Sequence, residues 1–142
     1  MVGDLDGAGA EKLAASLNNP RVTGVHMDVT SESSWKEAVK TCMDKFGRLD
    51  IVVNNAGTTY RSKPTSDVTE KEYMRVFDVN VKSVFWSVKI AVPIMVEQGD
   101  GGSLINISSV GSTRPRPGLV WYNASKGAVS NVGSRVQYPV LV

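Results

Sequence analysis

Leu49-Asp50-Ile51-Val52-Val53-Asn54-Asn55-Ala56-Gly57 is the stretch whose reading decides the fold. Leu49 to Val53 is a short apolar, β-branched run that stops at two asparagines, an alanine and a glycine. It reads as a buried strand emptying into a polar loop. The segment before it carries the clearest helix in the chain. Trp35, Ala38, Val39, Cys42, Met43 and Phe46 recur at helical spacing along one apolar stripe, and Gly47 supplies a C-terminal stop. Cys42 belongs to that stripe and reads as a core residue, because a reactive thiol needs an exposed electropositive setting. After the strand, Thr69 and Glu72 form a capping box that opens a helical region running to about Glu97, with a break near Asp78 and a kink at Pro93.

The same alternation extends both ways. Leu104 to Ile107 is a second short apolar strand ending at Ser108-Ser109, and a helix begins near Tyr122. Toward the N-terminus, a strand over Val22 to Met27 follows a helix from Ala8 to Leu17 with Ala10, Leu13, Ala14 and Leu17 on one face, and Met1-Val2-Gly3 reads as the remnant of a strand. Strands separated by helices of this length predict parallel βαβ units. Ligands collect at the carboxyl ends of such strands, so Asn54 to Gly57 and Ser108 to Ser109 should line one crevice.

Composition narrows the function. The chain has 142 residues, 42% hydrophobic, 21% charged and 7% aromatic, which suits one globular domain and excludes disorder or collagen-like repeats. Sixteen Lys plus Arg against fourteen Asp plus Glu leave a net charge of +2, and the longest basic cluster is Arg114-Pro115-Arg116. That is no nucleic-acid footprint. A single cysteine builds neither a disulfide framework nor a metal cluster, so the expected compartment is the cytoplasm and no metal is expected. No run of about 18 apolar residues predicts a membrane span, and Met1-Val2-Gly3-Asp4 does not open like a signal peptide. His26 has no partner at metal or base spacing and reads as structural.

The local pattern richest in chemistry is Tyr122-Asn123-Ala124-Ser125-Lys126, where a spacing of four puts phenol and ammonium on one helix face. A phenol with a pKa of about 10 exchanges protons poorly at neutral pH, and a nearby cation brings it closer to that range. Ser109 lies thirteen residues earlier at a strand end, where a hydroxyl can hold a carbonyl oxygen beside the phenol.

Asn54-Asn55-Ala56-Gly57, Asn80 in Asp78-Val79-Asn80-Val81, Ile107-Ser108-Ser109 and Tyr122-x-x-x-Lys126 occur in an order and spacing that resemble the short-chain dehydrogenase/reductase family. The similarity runs from about Val2 to about Asn131. The stretch from Arg114 to Ala128 looks most like the 3-oxoacyl-carrier-protein reductase-like members. The resemblance implies that Tyr122 is the general acid/base, that Lys126 lowers its pKa and holds the nicotinamide ribose, and that Ser109 orients the substrate carbonyl. Asn80 would interrupt a helix and hold a water in a relay to Lys126. Asn54, Asn55, Ala56 and Gly57 would form the loop beneath the cofactor, and Asp28 and Val29 would border the adenine. Asp4 matches the acidic residue that receives the adenine ribose hydroxyls, which favours NAD over NADP because a carboxylate repels a 2′-phosphate. Asp6 competes for that role, and either aspartate serves equally as a helix cap. Gly7-Ala8-Gly9 lacks the third glycine of a dinucleotide fingerprint, with Lys12 in its place, and is assigned no phosphate.

Against the family pattern, the expected fold is α/β, an incomplete Rossmann-type doubly wound parallel sheet without its first strand and last strands. The whole of 1–142 is expected to be one partial NAD(P)-binding Rossmann-like domain with an atypical tail over about 132–142. In strand order 3-2-1-4-5-6 the first strand is central, so two strand pairs should stand apart. Gly133 and Pro139 should break the last helix. The expected function is an NAD(P)-dependent oxidoreductase that interconverts a secondary alcohol and a ketone, with a small-molecule substrate, no nucleic-acid or membrane partner, and a homo-oligomeric parent. The alternative is a catalytically inactive truncated fragment that acts as an interaction module through the helices at about 80–97 and from 122.

Overall fold

A computed structural model describes residues 1–132 and the backbone of residues 135–136. The chain forms two parallel strand pairs on a shared layer of helices. Strand β1 (Val2–Asp4) leads through helix α1 (Gly7–Ser16) to β2 (Gly24–His26), and the two strands pair in parallel with Gly3 opposite Val25. Helix α2 (Glu32–Phe46) then leads to β3 (Ile51–Asn54). A long helical excursion returns the chain to β4 (Gly102–Asn106), parallel to β3 with Val52 opposite Leu104. The excursion consists of α3 (Glu70–Phe77), a π-helical turn over Asp78–Lys82 and α4 (Ser83–Glu97). Helix α5 (Val120–Asn131) follows β4, and a short strand β5 (Arg135–Val136) lies antiparallel to it. The strand orders are β1-β2 and β3-β4-β5, so the two parallel pairs do stand in separate sheets. The antiparallel β5 departs from the expected all-parallel arrangement. Gly133, Pro139 and most of the 132–142 tail lie outside the described residues.

The helix stripe read from the sequence is the main core. Trp35, Ala38, Val39 and Cys42 of α2 are buried with Met27, Leu49, Leu104, and Ala91 and Met95 of α4, while Met43 and Phe46 pack at the margin. This cluster takes residues from the flanks of both sheets, so α2 and α4 hold the two pairs together where no ladder does. Within the cluster, Met27, Val39, Leu49, Met95 and Leu104 each contribute about 1.5–3 kcal/mol of apolar burial. Gly47 closes α2 in a left-handed conformation at φ 74°, its amide donating to the Met43 carbonyl. Burial pushes the Cys42 thiol above its ordinary pKa, as its core position requires.

Several local expectations change. The strands are not buried on both faces: Ile51 is 59% and Val53 53% exposed, because helices cover only the Val52 and Leu104 side. The Val22–Met27 strand shortens to Gly24–His26, and His26 lies exposed upon it. On α1 only Ala10 and Ala14 are buried, whereas Leu13 and Leu17 face outward. The reason is close approach, since a Cβ at Gly24 would strike the backbone of Ala10 and Glu11, and only small residues fit that seam. Helix α5 starts at Val120, two residues before the expected point. Pro93 sits within α4 without ending it. The combined helix Glu70–Glu97 includes an 18-residue window of mean hydropathy 1.4, long and apolar enough to cross a membrane by composition alone. Here α4 packs against α2, β3 and β4, as a core helix does.

Candidate active site

The break expected near Asp78 is the π-turn, and it is what turns Asn80 inward. A π-turn inserts one extra residue into the helical spiral and so re-aims a side chain, which is why such turns mark functional positions. Asn80 is 2% exposed. Its Oδ1 accepts the Thr58 amide at 2.8 Å, and its Nδ2 donates to the Thr58 carbonyl at 3.0 Å and to Ser125 Oγ at 2.9 Å. Ser125 Oγ in turn donates to the Tyr122 carbonyl at 2.7 Å. One amide therefore ties the loop after β3 to the middle of α5.

Lys126 is 6% exposed, a costly position for an ammonium, and its Nζ donates to the Ile107 carbonyl at 2.8 Å. The Ile107 amide donates to the Asn54 carbonyl at 3.0 Å, so the carboxyl ends of β3 and β4 meet at the carbonyl that Lys126 binds. Gly57 closes the group: a Cβ there would stand 3.4 Å from Lys126 Nζ and 3.6 Å from Asn80 Oδ1. Tyr122 lies one turn before Lys126 on α5, half-buried, and its phenol makes no hydrogen bond among the described residues. Ser109 heads a 3-10 turn over Val110–Ser112, and its Oγ accepts the Gly111 amide at 3.1 Å, leaving its own proton to donate.

A cavity of about 230 Å³ opens in the gap between the two strand pairs; most of its lining is apolar, including Met27, Val29, Trp35, Val39, Cys42 and Val53, with Asp4, Asn54 and the Asn55-Ala56 loop as its polar part. The two aspartates differ in their surroundings. Asp6 caps α1 by accepting the Gly9 amide at 3.0 Å, whereas Asp4 stands at the end of β1 on the cavity, one carboxylate oxygen accepting the Asp6 amide at 2.9 Å. The Asp6 cap also occupies the Gly7-Ala8-Gly9 turn. Val29 reaches the cavity, but Asp28 turns its Oδ1 onto its own loop, accepting the Thr30 amide at 2.9 Å and the Thr30 hydroxyl at 2.8 Å. Asn54 donates through Nδ2 to Ser87 Oγ and Asn106 Oδ1, both at 2.8 Å, while its buried Oδ1 has no partner among the described residues. At the polar part of this gap the exposed Asp4 carboxylate and the exposed Asn55-Ala56 loop suit the hydroxyl and amide groups that a dinucleotide carries.

Thr58, Ser87 and Ser125 carry this geometry without having been singled out in the sequence. Ser125 alone had a signal, its place between Tyr122 and Lys126. Among the described residues no cluster of three His, Cys, Asp or Glu side chains could hold a metal ion.

The short chain dehydrogenase family model matches residues 1–137. The chain is similar to 4-formylbenzenesulfonate dehydrogenase of Comamonas testosteroni, 44% identical across 90% of this chain and 56% of that protein. It is similar to galactitol 2-dehydrogenase of Agrobacterium fabrum, 34% identical across 91% of this chain and 50% of the relative. Its fold superposes on 3-ketoacyl-(acyl-carrier-protein) reductase of Brucella melitensis, solved with NADH, at a TM-score of 0.87 and 36% identity, covering 92% of this chain and 55% of that one. The chain thus spans about half the length of the relatives it matches. With a family match along nearly its whole length and the Rossmann-like fold to go with it, this chain belongs to the short chain dehydrogenase family.

Proposed function

We propose that this chain carries the proton-transfer site of an NAD-dependent oxidoreductase that interconverts a secondary alcohol and a ketone. The observation that supports this most is that buried Asn80 and buried Lys126 meet the exposed Gly57 loop beside Tyr122, Asn80 through Ser125 of the same helix. The nicotinamide cofactor, when bound, supplies or accepts the hydride. In the reducing direction the Tyr122 phenol gives its proton to the carbonyl oxygen as that oxygen gains charge, and in the oxidising direction it takes the proton back from the alcohol. Ser109 donates its hydroxyl proton to the same oxygen and holds the carbonyl in line. Lys126 places a positive charge one turn from Tyr122, and its remaining ammonium protons would bind ribose hydroxyls. Asn80 spends both amide protons on Thr58 and Ser125, so a relay water would rest on the second lone pair of Oδ1.

Asp4, Val29, Asn55, Ala56 and Gly57 are the residues that would hold the cofactor, with Asp28 shaping its loop. The dehydrogenase names of the relatives and the NADH in the Brucella structure support a nicotinamide, and the Asp4 carboxylate favours NAD over NADP. A homo-oligomer paired through α4 and α5 belongs to the same reading. The second reading, an interaction module without catalysis, is favoured by one observation: the walls of the cavity belong to sheets that share no ladder. A thermal-shift titration with NAD, followed by assay of NADH formation from secondary alcohols, separates the two. Stabilisation by NAD with turnover supports the oxidoreductase, and neither at saturating NAD leaves the module.

A further inference from the structure

The first turn of α5, which carries Tyr122, has no side-chain cap of its own: Leu119 occupies the N-cap position, where its carbonyl accepts the Asn123 amide but its side chain offers no acceptor. A helix leaves its first amides without intrahelical partners, and a buried amide must find one elsewhere. For Trp121 that partner comes from a distant loop. The Trp121 amide donates to the phenolic oxygen of Tyr60 at 3.1 Å, and Tyr60 is 4% exposed. We infer that Tyr60 is a positioning residue for Tyr122, its phenol oxygen acting as the cap of α5 in place of a local side chain.

Three further contacts make this more than a stray bond. The Tyr73 ring packs edge-on against the Trp121 ring at 5.2 Å, so the residue preceding Tyr122 is held by main chain and side chain at once. The loop carrying Tyr60 is itself fastened, with the Arg75 guanidinium donating to the Thr59 carbonyl at 2.8 Å and the Lys63 amide donating to the Gly118 carbonyl at 3.2 Å. Further along α5, Ser125 and Lys126 have anchors of their own in Asn80 and Ile107. Tyr122 therefore lies between an N-terminal anchor made by Tyr60 and a C-terminal one made by Asn80. Loss of the Tyr60 oxygen frees only the end that bears the phenol.

The inference rests on the reading of Tyr122 as proton donor, yet its test needs no turnover, so the two can fail separately. Amide hydrogen exchange is followed residue by residue, together with the ring signal of Tyr122 in carbon-13-labelled protein, in wild type, Tyr60→Phe and Tyr60→Phe/Leu119→Ser. In Tyr60→Phe the Trp121 amide should exchange about tenfold faster and the Tyr122 signal should move, while Ser125 and Lys126 keep their protection. Leu119→Ser supplies a local cap and should reverse both changes. An unchanged Trp121 amide, a stationary Tyr122 signal, or uniform acceleration along α5 and the strands overturns the assignment, the last because it would mark a merely stabilising residue. Should Tyr60→Phe fail to fold, Tyr60→His, which keeps a ring acceptor, decides: a protected Trp121 amide supports the cap, and an unprotected one with Tyr122 unmoved overturns it.

Discussion

Asn80 and Ser125 meet across 2.9 Å, forty-five positions apart in the chain, and that hydrogen bond joins the π-turn of the long helix to the helix bearing Tyr122 and Lys126. Because the same Asn80 side chain also holds both backbone groups of Thr58, its replacement releases three bonds in a buried place.

Asn80→Ala should therefore cost about 1–3 kcal/mol of stability, the penalty of leaving buried backbone groups unpaired. Urea denaturation of the two proteins measures it. A difference below about 0.5 kcal/mol, the range of ordinary surface changes, would mean that the network carries no load.

Gly118 lies at φ 75°, and a Cβ there would strike Ser62 Oγ and come within 3.2 Å of the Lys63 amide nitrogen. Gly118→Ala should lose about 1–2 kcal/mol from the left-handed backbone alone, with a further loss from the contact. Adding Ser62→Ala should recover the contact part and leave the backbone part. Complete recovery in the double variant would contradict the backbone explanation.

How much of this was legible beforehand follows from how local each cause is. The α2 stripe, the Gly47 stop, the Thr69 and Glu72 capping box and the interruption near Asp78 are written within a few residues, and the structure has all four. The exposure of Ile51 and Val53 was not legible, because a short apolar run reads the same whether helices cover one sheet face or two. Nor did Asp28 differ in sequence from a cavity-facing carboxylate, since the Thr30 turn that takes its oxygen is a matter of three-dimensional fit. The Tyr60 cap spans sixty-one positions and leaves no periodic trace at all.

Glu72 gives a pH prediction. The Lys63 ammonium at 2.8 Å, with the Thr69 amide and hydroxyl, holds its carboxyl at about 2, down from an ordinary 4.5. A depressed carboxyl pKa contributes stability that is fully present above the unfolded value and is lost as pH falls through the folded one. The stability gap between wild type and Glu72→Gln should be constant above pH 4.5 and close as pH falls toward 2. Urea midpoints at stepped pH test this, and a gap that stays constant throughout that window would show that the ion pair contributes nothing.

Asp4→Asn keeps an acceptor for the Asp6 amide while removing the charge that would repel a 2′-phosphate. The ratio of kcat/KM for NADP to that for NAD should rise by about tenfold, equivalent to about 1.4 kcal/mol. An unchanged ratio, or an initial preference for NADP, would reduce Asp4 to a strand-end residue.

The most direct measurement is the oxidation of a secondary alcohol with NAD by wild type and Tyr122→Phe, alongside NAD affinity by titration. Loss of the phenol oxygen should lower kcat by about a thousandfold, within the range of a general acid/base, and leave NAD affinity within a few-fold. Substantial turnover in Tyr122→Phe, with NAD still bound, would contradict the assignment of Tyr122 as the proton donor.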